Sequence, residues 1–392
     1  MPAMGVTDAD PSIAPLSLVT TDELGFLKVA QTGGSAIGSL QCVRRWGRAD
    51  KSRGIRSLVI KPASDTGPEL AAVGRSNGDI DSLSCQHGTV HGSISAQPCD
   101  RADRDAGAAV AGLSLWSTEG GLRLMSCTEG GQARLYEGTW MQSSPEAPEA
   151  SGTEPSSCEW KQAAAWQAAK VPVCCMAADG GTGVMAVGCK GSELSIWNIK
   201  TQQKAYQAKG AKPNKLGLMD MPWNSAVAFT PGAGGRLLFV GTGYHKLRLY
   251  DVAQARPLLN VEFGEGRLTS LAPCPDGEMC WAADSTGRIQ VLDARTKKPQ
   301  SSLMGHGGAV RSISLHPSRP LLASVGLDRH LCIHDIRTRE CLAKLYLKQI
   351  LTAVEFWDTP RPLVPQHSKP VPNDLPEARA ELPSSQAKSQ RT

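Results

Sequence analysis

Histidine, cysteine and carboxylate side chains are the groups most able to hold a metal or move a proton, and three sets of them stand out. His330, Cys332 and His334 alternate within one short apolar segment, so all three would leave the same face of a strand. Cys85, His87 and His91 lie close together in the chain. His306 precedes an apolar segment, and Asp328 sits in the next turn but one. A closed zinc site takes four well-spaced Cys and His ligands, and no C-x-x-C pair occurs among the twelve cysteines. Neither of the first two sets therefore reads as a metal site.

Phosphate and acyl chemistry are no better supported. The nearest approach to a phosphate loop, Gly232-Ala233-Gly234-Gly235, precedes a strand pattern, whereas a phosphate loop must open a helix. Ser, His and Asp are scattered over strand and turn segments with nothing that assembles a triad. The chain reads as a non-enzyme, with no cofactor and no metal.

Binding chemistry is denser. Lys190, Tyr244, His245, Lys246, Arg329 and His330 fall in turns, with Arg248 just beyond and Trp223 shortly before as an anchor. Arg and Lys can meet phosphates or carboxylates, and Tyr, His and Trp can stack or hydrogen-bond. Any one of these alone would be an ordinary solvated turn residue. Together they form a candidate binding set.

The elements that must position these residues repeat. Ala309–Leu347 reads as four short apolar strands with Gly305-His306 in front and His334-Asp335 closing the third. Arg267–Leu303 repeats the plan, and its third strand ends at Asp293, 42 residues before Asp335. A period of about 40–45 with a Gly-His start and a Trp-Asp-like end marks a WD-repeat propeller blade. Further blades are legible upstream: one closes at Trp197-Asn198, and others contain RLLFVGTGYHKLRLYDV, GLRLMSCTEGGQARLYEG and ELAAVGRSNGDIDSLS. The fold expected is all-β, a seven-bladed WD40 propeller, because seven blades need roughly 300 residues. In such blades the His before the first strand and the Asp of the turn after the second share a hydrogen-bond network, so His306 and Asp328 are assigned to structure. His334 occupies a common Trp position and is expected to pack.

The propeller is expected over residues 16–357, with 1–15 disordered, 143–158 a loop insertion rich in Pro, Ser and Glu, and 358–392 a disordered Pro-rich tail. Blade one lacks a strand, and residues 351–356 (LTAVEF) are free to supply it and close the ring. Net charge is +5, which permits nucleic-acid contact without requiring it. Cysteines within apolar strands, no Asn-x-Ser/Thr site, no secretory leader and no apolar run of about 18 residues point to a soluble protein of a reducing compartment, off the membrane.

Gly241-Thr242-Gly243-Tyr244-His245 followed by Leu247–Asp251, His316–Arg329 (HPSRPLLASVGLDR), Tyr346–Lys348 and Met221-Pro222-Trp223 carry a family likeness. From about Val171 to Lys348 the chain resembles the nucleolar WD-repeat proteins of the Nop-seven-associated type. The resemblance implies a non-catalytic assembly factor of the large ribosomal subunit precursor. It would act in the nucleus and nucleolus beside pre-ribosomal particle proteins and rRNA, influence rRNA processing and be released by an AAA-type ATPase. Such a factor would be monomeric within a larger complex. Some members end in a Lys/Arg-rich tail, and here that region holds only scattered Arg361, Lys369, Arg379, Lys388 and Arg391. The alternative is a generic WD-repeat adaptor of a ubiquitin-ligase or chromatin complex, using the same rim without RNA.

Overall fold

The computed structural model describes residues 15–33, 37–61, 69–95, 108–141, 157–210, 217 and 221–357. The expected disorder of residues 1–14 and 358–392, and most of the expected 143–158 loop, lie outside the described residues. Seven four-stranded antiparallel sheets make seven blades. Blade two is Ile55–Lys61, Leu70–Arg75, Ile80–Leu83 and Val90–Ile94. Blade three is Val110–Thr118, Gly121–Thr128, Gln132–Met141 and Ser157–Gln167. Blade four is Val173–Asp179, Val184–Cys189, Ser195–Asn198 and Gln203–Gln207, and blade five is Asn224–Phe229, Leu237–Thr242, Lys246–Asp251 and Leu259–Glu262. Blade six is Leu268–Pro273, Met279–Asp284, Ile289–Asp293 and Lys298–Leu303, and blade seven is Val310–Leu315, Leu321–Gly326, His330–Asp335 and Cys341–Tyr346. Ser157 and Cys158, read above as the end of a loop, are strand residues opposite Met141 and Trp140.

Blade one joins the two ends of this structure. Ser17–Asp22, Leu27–Thr32 and Leu40–Trp46 are completed by Leu351–Phe356, which pairs antiparallel with the first of them, Leu18 opposite Phe356 and Thr20 opposite Val354. The Trp357 amide donates to Ser17 O at 3.0 Å, and its buried indole meets Glu69. Lys28 adds a buried tie: its ammonium pairs with Asp22 at 2.8 Å and donates to Leu347 O at 3.0 Å. Closure leaves blade one with a full sheet and removes an exposed inner edge.

The burial pattern explains why the repeat was legible. The second strand of each blade is sandwiched between two neighbouring blades, so Leu321–Gly326 is buried at every position and reads as a continuous apolar run. The outer strands face solvent on one side and are mostly polar, as in Gln203–Gln207. The core is accordingly a set of wedges between blades. Met125 and Leu135 of blade three meet Met185 and Val187 of blade four; Ala186 and Ile196 meet Leu238, Val240 and Tyr250 of blade five. Between blades seven and one, Val325, Leu331 and Ile333 meet Leu18, Ala30 and Val354. Each large aliphatic so buried contributes about 1.5–3 kcal/mol.

Candidate functional site

The turns between second and third strands gather on one face. Each needs a residue in the left-handed region, and five blades use glycine there: Gly25, Gly78, Gly131, Gly191 and Gly287, at φ from 84° to 99°. Blades five and seven do not. His245 holds φ 48° and Arg329 holds φ 65° at that position. A left-handed residue with a Cβ costs roughly 1–2 kcal/mol, so these two turns carry side chains where glycine would be cheaper.

Beside His245 a compact cluster joins blades four and five. Lys190 and Trp223 are antiparallel bridge partners, the Gly191 amide donates to Pro222 O at 2.7 Å, and the Gly243 amide donates to Trp223 O at 2.9 Å. The indole lies flat on Gly243, where a Cβ would fall 2.1 Å from the ring. Lys190 Nζ stands 4.7 Å from the Trp223 ring centre, and Tyr244 meets the same ring edge-on at 5.8 Å. Lys190 and Tyr244 are exposed, and His245, Lys246 and Trp223 are half-buried. Exposed Met221 extends the patch.

Blade seven carries a second cluster, separated from the first by blade six. Arg329 is exposed and its Nη1 donates to the Tyr346 hydroxyl at 3.5 Å. The His330 and Tyr346 rings stand 5.3 Å apart, and His330 Nδ1 lies 3.5 Å from Asp328. Tyr346 is absent from the candidate set read from sequence; its place at the end of the outer strand, opposite His330, was the available signal. Arg248 is a correction. It is buried, not on the rim: its Nε donates to Asn260 Oδ1 at 3.0 Å and its Nη1 faces Glu193 at 4.0 Å. Alternation along the third strand turns it into the wedge between blades four and five.

His306 and Asp328 form a network under this face. His306 Nδ1 lies 3.0 Å from Asp328 Oδ1 and its Nε2 lies 2.8 Å from Ser324 Oγ. The Gly307 and His330 amides donate to the same carboxylate at 3.1 and 3.3 Å. Burial pulls the imidazole below its ordinary pKa, against the pull of Asp328. Burial pushes the Asp328 carboxyl up, but hydrogen bonding from His306 and the amides outweighs this and holds it below the usual range. A neutral imidazole donating from Nδ1 leaves Nε2 to accept from Ser324.

The sets with chemical potential do not converge. Cys332 is buried, its thiol pushed up to about 12 by burial, while His334 is buried with Nε2 3.2 Å from Met304 O. Burial, with Glu69 adding to it, pushes the Cys85 thiol well up, and His91 packs edge-on against Trp140 at 5.4 Å. Among the described residues no group of three or more His, Cys, Asp and Glu could hold a metal ion. One Gly-x-Ser-x-Gly stretch does occur, at Gly74-Arg75-Ser76-Asn77-Gly78. It forms a strand–turn–strand, and the Ser76 hydroxyl donates to Ser52 O at 2.8 Å rather than to an imidazole, so it is no nucleophile elbow.

The channel mouth opens on the same face. In every blade the innermost strand carries a bulge at its second residue: Arg56, Ala111, Cys174, Ser225, Thr269, Arg311 and Thr352 have no register partner. A bulge redirects its residue, and all seven line one cavity of about 690 Å³, with the turn residues Ser76 and Glu129. Arg267 lies beside them in the lining. Cys174, which lines the mouth, lies within electrostatic reach of Trp223, Arg267 and Lys190, so the mouth borders the rim. Sequence reading passed over this ring, although the segments IRSLVI, RLTSLA and VRSISL hint at a recurrent arginine.

Comparison with known proteins agrees with this architecture. The WD domain, G-beta repeat family matches residues 297–335. WD repeat-containing protein 74 of Homo sapiens is 35% identical over 198 residues, 48% of this chain and 51% of that protein. The Mus musculus protein of the same name is 36% identical over 177 residues, 44% of this chain and 46% of its own. Ribosome biogenesis protein NSA1 of Yarrowia lipolytica is 28% identical over 223 residues, 49% of this chain and 54% of that protein. The chain spans about half the length of the curated relatives it matches. No helix among the described residues is long and apolar enough to cross a membrane. The chain is a seven-bladed WD-repeat propeller, and over about half its length it is similar in sequence to WD repeat-containing protein 74 and to ribosome biogenesis protein NSA1.

Proposed function

We propose that the protein is a non-catalytic assembly factor in ribosome biogenesis, acting on the large-subunit precursor in the nucleolus. It presents the turn face, with Lys190, Trp223, Tyr244, His245, Lys246, Arg329 and His330, to pre-ribosomal proteins or rRNA. The observation that carries the rim assignment is the pair of turns in which His245 and Arg329 occupy left-handed positions that glycine fills in five other blades. Strain of this kind is concentrated at binding sites. The names of the relatives, which include ribosome biogenesis proteins, supply the process. A rigid closed ring lowers the ordering cost of docking. Release by an AAA-type ATPase and an influence on rRNA processing belong to the same reading, on resemblance alone.

The test is K190E/K246E/R329E in the full chain, with sedimentation against pre-ribosomal particles. The triple variant should stay folded, losing no more than about 1 kcal/mol with the Lys190–Trp223 contact, and should leave the particle fractions. A folded triple variant that still co-sediments overturns the rim assignment. Recovery of ligase or chromatin subunits, with no precursor rRNA, would move the function to the adaptor class.

A further inference from the structure

The channel mouth holds three guanidinium groups contributed by blades two, six and seven: Arg56, Arg267 and Arg311. Arg56 is paired with Glu129 of the neighbouring blade three. Arg267 and Arg311 are exposed and make no side-chain hydrogen bond or ion pair among the described residues, although Glu23 lies within electrostatic reach of Arg311. Although the residue as a whole is exposed, desolvation of its guanidinium by the surrounding wall first, and then repulsion from Arg267 and Arg56, pulls Arg311 below its usual range. A folded protein that gathers like charges at one opening holds an electrostatic deficit that an anion relieves. Guanidinium forks match a carboxylate in two parallel hydrogen bonds.

The lining also says which anion. Among the described lining residues none is aromatic, so there is no platform on which a base could stack. Glu23 and Glu129 stand in the same wall and would repel a continuous phosphate chain. Apolar Val110, Val173 and Ile350 suit the backbone and neighbouring side chains of an extended peptide. The volume, about 690 Å³, is that of a site for a few residues.

We propose that the channel mouth is a binding site distinct from the rim, in which Arg267 and Arg311 receive a single Asp or Glu side chain of an extended segment of a partner protein. Arg56, already neutralised by Glu129, shapes the wall. The site does not depend on the ribosome-assembly reading, because its chemistry is complete within this chain.

The experiment is selection of displayed 12-residue peptides against the purified full chain, with counter-selection against R267Q/R311Q. Selected peptides are then measured by fluorescence polarisation, each beside its Asp→Asn or Glu→Gln counterpart and beside a ten-residue oligouridylate. The expected result is an enriched acidic position. Affinity should fall at least tenfold on amidation of that residue and at least tenfold in R267Q/R311Q, whose melting should match the parent, and the oligouridylate should not compete. Selection without an acidic position, or affinity indifferent to either change, overturns the proposal. Competition by oligouridylate that depends on Arg267 and Arg311 also overturns it and makes the mouth a phosphate site. The K190E/K246E/R329E variant is run in parallel and should bind the peptides normally, so the two surfaces can fail separately.

Discussion

Lys190 and Trp223 tie blade four to blade five twice over, once as bridged main chains and once through Nζ 4.7 Å from the indole centre. The indole also rests on Gly243, which leaves no room for a Cβ. Gly243→Ala should therefore lift the indole off its seat and cost about 1–3 kcal/mol. In a Trp223→Ala background the same change should cost almost nothing. A double-mutant cycle by urea denaturation checks this; equal costs in both backgrounds would disprove the seat.

His245 and Arg329 trade stability for a side chain on the rim. His245→Gly and Arg329→Gly relieve left-handed strain but add unfolded-chain entropy. Each should be neutral or up to about 1 kcal/mol more stable than the parent. Each should also weaken particle association. A loss of more than about 1 kcal/mol on urea unfolding would mean that the side chain serves the fold.

The buried chain Ser324–His306–Asp328 should behave as a unit. Asp328→Ala strands the Nδ1–H of a buried imidazole and should cost about 1–3 kcal/mol, while Ser324→Ala should cost about 0.5–1.5 kcal/mol. Because burial pulls the His306 pKa down, its contribution is full above the unfolded value of about 6.5 and is lost as pH falls through the folded value. Melting from pH 8 down to pH 5 should fall more steeply in the parent than in His306→Gln.

Glu355, on the ring-closing strand, has the opposite sign. Burial pushes its carboxyl from 4.5 up to about 7, against the hydrogen bond from Ser314 Oγ at 2.8 Å. A raised folded pKa gives a contribution that is full below 4.5 and lost as pH rises to about 7, flat beyond. Glu355→Gln should therefore gain on the parent between pH 5 and pH 8. The gain should be on the order of 1–2 kcal/mol after allowing for partial exposure. Parallel stability curves for the two proteins across that window would contradict the assignment.

Ring closure makes one short strand matter to all seven blades. A chain ending before Leu351 exposes the inner edge of Ser17–Asp22 and uncovers Leu18 and Val19, so its melting temperature should drop by ten degrees or more, on the order of several kcal/mol. An unchanged melting temperature would show that closure is dispensable.

Much of the architecture was legible in the chain because propeller blades bury their second strands on both faces. Runs such as Leu321–Gly326, punctuated by the turn and by Asp335, announce themselves without any tertiary information. Turn residues such as Lys190, Tyr244 and Arg329 were legible for the same reason, since turn position follows from strand position. Arg248 was misread because alternation says that side chains take two faces but not that both faces of a third strand are covered by neighbours.

The sequence by itself determined the repeat, its count and the face on which the turns gather, because these follow from local periodicity and from the need of each blade for neighbours. Tertiary structure alone decided two things: that His245 and Arg329 take the left-handed turn position, and that Arg56, Arg267 and Arg311 meet at one opening. Each depends on backbone geometry or on closure of the ring. A bulge is an offset between two paired strands, and a channel mouth exists only once the first and last blades have met.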